Sequence, residues 1–467
     1  MAMGQEIHTD DFRDTLSTSS RNGGRIRIYP KIFIGNLYRW RRIVAYILIA
    51  ALFTGPFVEI NHNPLFLFNI LERKFVFFAI PFWPQDFYIL AIGLLTFMVF
   101  IVLFTVVFGR VWCGWACPQT IFMEMVFRRI ETWLEGDFRQ QKLFDEKPYD
   151  ADKIFRKSIK HMLFFGISFV IANIFLAYLI GKQSLWLLIS DGPLVHKAVF
   201  FSLLLFTGVF YFVFAKFREL VCIIVCPYGR LQGVLLDKKS IVVAYDHLRG
   251  EPRGKIYKID AASSKGNCVD CKLCIHVCPT GIDIRNGTQL ECINCTACID
   301  VCNSVMDKIG NARGLIRYDS LEGIEQKKKL QFNTRIRAYS LFLVMLAGFF
   351  AYLIFSRKPV ETTILRTPGT LYQQASEGRI SNLYNYEVLN KTAENMPIKF
   401  TVLNLDANIR LIGNNYVDAD AETITKGSFF IEIAPGAILS NKTTLKIGVI
   451  SNDKLIETIQ SNFYGKR

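Results

Sequence analysis

The sequence predicts a multidomain membrane protein of three parts. These are a five-span α-helical transmembrane bundle, a cysteine-rich domain inserted before its last span, and a C-terminal immunoglobulin-like β-sandwich. Three observations predict it. Hydrophobic residues make up 51% of the 467, with 40 Phe, which is more than an ordinary soluble chain carries. Five apolar stretches approach the ~20 residues a helix needs to cross a bilayer. All 12 cysteines lie between Cys113 and Cys302, whereas the 165 residues after Cys302 have none and alternate like strands.

Residues 1–42 are a polar head that opens MAMGQEIHTDDF and turns basic at Arg25, Arg27, Lys31, Arg39, Arg41 and Arg42. The head is too long and too acidic at its start for a secretory n-region, and no A-x-A site follows. It therefore reads as a cytoplasmic tail before an uncleaved span. The expected spans are 43–60, 87–108, 162–180, 195–215 and 338–355, with the first four and their loops filling 43–217. FVFFAIPFW at 75–83 is too short to span, is broken by Pro81, and suits the interface, where Trp83 is favoured.

Lys and Arg crowd the head, the 109–161 loop and the 216–337 segment, whereas the 61–86 and 181–194 loops hold only Arg73, Lys74 and Lys182. The positive-inside rule then puts the inserted domain, 218–337, in the cytoplasm and residues 356–467 outside. The thiols agree, since all of them fall on the reducing side or at its membrane edge. These loops account for the net charge of +15. No nucleic-acid motif accompanies it, so membrane lipid is the expected polyanionic surface and nucleic acid is excluded as a partner.

The tail contains NLYNYEVLN, IKFTVLN, SFFIEIAPG, TTLKIGVIS and LIETIQSNF, separated by turn residues such as Pro397, Asn414-Asn415, Pro435-Gly436 and Asn452-Asp453. Short alternating runs with this punctuation predict a β-sandwich. No catalytic cluster stands out in it, so docking or spacing is its expected role.

The chemistry concentrates in residues 268–302. CVDCKLCIHVCP places Cys268, Cys271, Cys274 and Cys278 at C-x2-C-x2-C-x3-C spacing, and CINCTACIDVCN repeats it with Cys292, Cys295, Cys298 and Cys302. Three closely spaced thiolates hold three corners of an iron–sulfur cube, and the fourth Cys of each run crosses to the other cube. The expectation is two [4Fe–4S] clusters, one on Cys268, Cys271, Cys274 and Cys302, the other on Cys292, Cys295, Cys298 and Cys278. Zinc sites instead pair two C-x2-C units. Asn303 stands where a second Pro is usual, which affects the chain's exit and not the ligands.

Two further pairs follow spans: GRVWCGWACPQT with Cys113 and Cys117, and FRELVCIIVCPYGR with Cys222 and Cys226. If the helix continued, each i, i+4 pair would share one face, although the following Pro disfavours helix at the Cys before it. A single C-x3-C would suggest buried structural cysteines. Two copies in matching positions favour a metal or redox role, with Cu(I) or another thiophilic ion as the ligand. Histidines are few. His161 and His196 fall at opposite ends of their spans, so one haem cannot use both, and His276 sits inside the first cysteine run.

These residues carry a resemblance. FWPQDF (82–87), VWCGWACPQT (111–120), VCIIVCPYGR (221–230), RGEPRG (249–254), the two cysteine runs, SVMDKIG and RGLIRY resemble the cytochrome c oxidase accessory proteins called CcoG, also known as FixG or RdxA. The C-x3-C-P pairs are shared with membrane polyferredoxins of nitrate and nitrous oxide reduction. The resemblance implies a multi-pass protein of the bacterial inner membrane that serves assembly of cbb(3)-type cytochrome c oxidase by reducing Cu(II) to Cu(I). It also implies a copper ion on Cys113, Cys117, Cys222 and Cys226. The partners implied are oxidase assembly factors and a copper chaperone or transporter. A cytoplasmic electron donor is expected but not identified by any motif, and the oligomeric state, monomer or homodimer, is open. The rival readings are a quinol-linked electron conduit to an exported reductase and a non-catalytic copper chaperone or scaffold.

Overall fold

The computed structural model describes residues 26–60, 63–70, 73–254, 266–327, 334–369, 372–375, 378–413, 416–437 and 440–465. The opening MAMGQEIHTDDF and the Asn414-Asn415 turn lie outside them. The chain divides into two compact units: 1–58, 66–72 and 90–350 form one, and 59–65, 73–89 and 351–467 the other.

Among the described residues, four helices are long and apolar enough to cross a membrane: Pro84–Phe108, Ala151–Ile180, Lys197–Phe217 and Ile336–Phe355. Aromatic rings join Ala151–Ile180 and Lys197–Phe217 to each other and to the helix that follows the first cysteine pair. Phe127 stacks on Phe214 at 4.4 Å and meets Phe164 edge-on at 4.7 Å, while Phe175 stacks on Phe206 at 5.2 Å. The expected span 43–60 is a helix with other bounds, Asn36–Thr54. Arg39, Arg41 and Arg42 occupy its first two turns. No side chain of its own caps it. Instead Asp300 accepts from Leu37 N at 3.2 Å and from Tyr38 N at 2.8 Å, taking up orphan N–H groups of the first turn. Gly35 makes room for this, because a Cβ there would overlap the Asp300 side chain.

A polar network lies below the aromatic layer. Both oxygens of buried Glu131 accept from Arg218 at 2.8 Å, and Lys160 donates to Glu135 at 2.6 Å. Arg218 is held with φ +53 at the junction of two π-helical segments, Val213–Phe217 and Val221–Val225. A third π-helical segment, Phe122–Phe127, follows the first cysteine pair. Such widened turns gather at functional sites.

The two cysteine runs fold around short helices, Leu273–His276 and Ala297–Lys308. An antiparallel pair of strands, Val242–Tyr245 with Ile316–Asp319, backs them. Val243, Ile282, Ile284, Ile299, Met306, Leu315 and Ile316 fill the core between. Asn303 has a structural reason. Pro279 follows the short first helix, but Asn303 continues the second to Lys308, and its Oδ1 accepts from Gly314 N at 3.0 Å.

The second unit is a sandwich. One antiparallel sheet runs Ala407–Leu411, Ile424–Ile433, Ile380–Asn390, Val360–Arg366, with Gln373–Gln374 on the third strand. The other runs Val417–Ala419, Met396–Val402, Lys442–Ser451, Lys454–Tyr464. Alternating inward residues meet at Phe429, whose ring lies 5.8 Å from those of Tyr384 and Tyr386 and 5.1 Å from Phe400. FVFFAIPFW is a hairpin, Lys74–Phe77 paired with Ile80–Phe82. Behind it Asp86, 1% exposed, accepts from Lys391 Nζ at 2.7 Å and from Arg357, which gives FWPQDF a structural role as an anchor.

Candidate functional site

Both cysteine runs bend the backbone in the same way. Asp270 and Lys272, on either side of Cys271, have φ of +50 and +57. Asn294 and Thr296, on either side of Cys295, have +53 and +68. Non-glycine residues avoid this region unless the surroundings impose it. Alternating left- and right-handed residues turn successive N–H groups inward, as in the nests that bind anions and iron–sulfur centres.

Two cavities follow. Cys268, Cys271, Cys274 and Cys302 line one. Cys278, Cys292, Cys295 and Cys298 line the other, with Cys274 on the wall between. The donor set fits iron–sulfur cubes. Burial pushes the Cys274, Cys292 and Cys302 thiols up to about 12 and Cys295 to about 11, with neighbouring thiolates adding to the rise. Without a cation such a set stays protonated, and a bound metal reverses that by stabilising the thiolates. Cys271 is exposed, whereas Cys295 is buried, so the first cavity has the solvent edge.

The C-x3-C-P pairs do not lie on continuous helices. Cys113 belongs to Val111–Trp115, and Cys117 is the extended N-cap of the helix that Pro118 starts. Likewise Cys222 belongs to Val221–Val225, and Cys226 caps Pro227–Leu235. The i, i+4 face is therefore replaced by a break at the second Cys, for the steric reason that Pro imposes on its predecessor. Even so the four thiols lie near enough for their charges to act on Cys222, although among the described residues they do not close into a ready-made metal-binding group. Burial, and after it the nearby charges of Cys117, Cys113 and Cys226, push the Cys222 thiol up to about 12.

This quartet abuts the second cavity. Cys113 packs with Ile293 and Cys295 in one buried cluster. Gly114 is required there, since a Cβ would overlap the Ile293 carbonyl oxygen and stand 3.0 Å from the Asn294 carbonyl. Arg41 Nε donates to Gly114 O at 2.6 Å, and Trp115 Nε1 donates to Tyr318 OH at 3.2 Å, which in turn donates to Asn294 O at 3.0 Å.

Comparison with known proteins agrees with this arrangement. A family model described as a 4Fe-4S dicluster domain matches residues 217–321, one described as a 4Fe-4S binding domain matches 90–140, and one described as an Ig-like fold at the C-terminus of FixG matches 350–466. The chain is 34% identical over 394 residues to protein RdxB of Cereibacter sphaeroides, covering 81% of this chain and 82% of that one. It is 33% identical over 443 residues to nitrogen fixation protein FixG of Rhizobium meliloti, covering 86% and 84%. Protein RdxA of Cereibacter sphaeroides is 33% identical over 350 residues, covering 72% of each. The chain belongs to the FixG/RdxA family. It is thus a FixG-like membrane iron–sulfur protein of a redox family, and the Ig-like end is the FixG C-terminal domain.

Three residues of this FixG-family site left no signal in the spacing. Arg110 Nε donates to Gln232 Oε1 at 2.9 Å and its Nη1 to the Leu290 carbonyl, while Cys113 Sγ lies 3.2 Å from the same Gln232 oxygen. Asn294 Oδ1 accepts from Val243 N at 3.2 Å. The His276 carbonyl accepts from Lys31 N at 2.7 Å, and His161 pairs with Tyr211 OH at 2.9 Å.

Proposed function

We propose that this chain is a membrane-bound cupric reductase that converts Cu(II) to Cu(I) at Cys113, Cys117, Cys222 and Cys226. The product would pass, through a copper chaperone or transporter, to assembly of the copper site of a cbb(3)-type cytochrome c oxidase. The observation that carries the reading is the buried cluster that Cys113 shares with Ile293 and Cys295, which sets soft thiols beside the second cysteine cavity. Two [4Fe–4S] cubes, held by Cys268, Cys271, Cys274 and Cys302 and by Cys292, Cys295, Cys298 and Cys278, supply one-electron transfer. The cavity linings support this crossed ligand set. A cytoplasmic one-electron donor reaches the exposed Cys271 side, and each Cu(II) takes up one electron at the quartet. Thiolates retain the softer product ion. The basic loops and the segregated thiols support an inner-membrane orientation with the cysteine domain inside and residues 356–467 in the periplasm.

The match of a 4Fe-4S binding model to residues 90–140 favours a second reading, in which the quartet itself takes iron. Anaerobic, cluster-replete protein reduced in advance and mixed with Cu(II) separates the two. Under the copper reading, the Cys113→Ser/Cys117→Ser and Cys222→Ser/Cys226→Ser variants keep their iron, bind less copper and form Cu(I) slowly. Loss of iron from these variants would install the iron reading. Normal copper binding and reduction in both would leave a scaffold. Turnover with quinol in place of copper would favour the conduit.

A further inference from the structure

Arg110 is 3% exposed, and among the described residues no carboxylate forms an ion pair with it. Its partners are the neutral Gln232 amide and the Leu290 carbonyl, two residues before Cys292. A buried guanidinium with only neutral partners is costly unless an anion compensates it. The groups around it that become anionic are thiols. Gln232 Oε1 lies against Cys113 Sγ, and an added Cβ at Gly229 would stand 3.1 Å from Arg110 Nη2 and against the Cys222 carbonyl. Gln232 is itself fully buried, and its Nε2 finds no hydrogen-bond partner among the described residues.

We propose that Arg110, oriented by Gln232, is a positioning residue shared by the thiol quartet and the second cysteine cavity. Its single positive charge stabilises both the reduced cluster on the Cys292 side and the anionic metal–thiolate complex on the Cys113/Cys222 side. The second half rests on the copper reading above, whereas the first does not. A nearby buried cation raises the reduction potential of a cluster because the reduced form carries one more negative charge. By the same sign it tightens retention of a monovalent soft ion by several thiolates.

EPR-monitored redox titration of the full-length, cluster-replete protein tests the first half, and retention of Ag(I), a redox-inert stand-in for Cu(I), tests the second. Arg110→Gln should lower the midpoint of the cluster assigned to Cys292, Cys295, Cys298 and Cys278, leave the other midpoint in place, and weaken Ag(I) retention tenfold or more. Arg110→Lys keeps the charge but loses the two-pronged hydrogen bonding, and it should restore both properties towards wild type. Unchanged midpoints in Arg110→Gln, equal shifts of both clusters, or an Arg110→Lys variant indistinguishable from Arg110→Gln would each overturn the proposal. Wild-type protein that retains no Ag(I) would remove the copper reading and the shared role with it, while a lowered midpoint in Arg110→Gln would still locate the charge beside the second cluster.

Discussion

Replacing Gly114 by Ala tests whether the quartet and the second cavity are one packed body. The backbone at Gly114 is ordinary, so the argument is purely steric. The added methyl would meet the peptide carbonyls of Ile293 and Asn294, neither of which is the movable end of a side chain. To regain an ordinary contact of 3.4 Å, one backbone must retreat by up to about 1 Å, and overpacking of this kind costs about 1–3 kcal/mol. Ala gains about 1 kcal/mol over Gly in a helix. That offsets the low end of this range, so a net loss of up to about 2 kcal/mol is expected. Gly166→Ala is the matched control, because a Cβ there meets nothing within 4 Å. Thermal unfolding in detergent, followed by loss of cluster absorbance, should show Gly114→Ala melting several degrees below wild type and Gly166→Ala at or above it. Iron content at low temperature should stay normal in both. If Gly114→Ala melts with wild type, the close approach of 114 to 293–294 does not exist in the protein, and the case for a joined site goes with it.

Three further outcomes follow from the same geometry. Cys302→Ser should impair the cluster signal that depends on Cys268, Cys271 and Cys274, and Cys278→Ser the other one, as read by iron content and EPR; the reverse pattern would refute crossed ligation. Glu131→Gln should destabilise the membrane unit by about 3–5 kcal/mol, because Arg218 is left buried without its anion. Burial pushes the Glu131 carboxyl up, but Arg218, Lys160 and Arg27 outweigh it and hold the carboxyl below its usual range. The stability it contributes is therefore present above the unfolded-state value and lost as pH falls through the folded one, so wild type should lose acid resistance that Glu131→Gln never had. Asp86→Asn should weaken the anchoring of FWPQDF by about 3 kcal/mol, seen as protease cleavage near Lys74 at concentrations that spare wild type.

Periodic and closely spaced signals were legible in the sequence. The four apolar helices, the long strands of the sandwich and the two cysteine runs all write their pattern into consecutive residues. What escaped depends on pairing across the chain. The first helix starts at Asn36 because Asp300, over 260 residues away, caps it. Arg110 and Gln232 meet across 122 positions. The short strands Ala407–Leu411 and Val417–Ala419 are too brief to alternate convincingly. The C-x3-C-P pairs show two local rules in conflict. Helical spacing suggested one shared face, but the proline governed its predecessor and broke the helix at Cys117 and Cys226. Tertiary packing instead brings the thiols near enough for their charges to act on Cys222.

That convergence gives the molecule a direction. Cys271 is exposed, whereas none of Cys278, Cys292, Cys295 and Cys298 is, so a soluble donor meets the first cavity more readily than the second. The quartet lies against the second cavity, through Cys113 and Cys295. A site meant only to store a soft ion gains nothing from this placement, because buried iron–sulfur ligands next to it compete for the same metals. A quartet that receives electrons, as proposed above, would use it. The buried Arg110 charge fits that purpose as well. A storage site would be served by a cation beside its own thiols, whereas this one also reaches the carbonyl that leads into Cys292. Under the proposed function, the order donor, first cavity, second cavity, quartet gives each of these exposed, buried and charged groups a use.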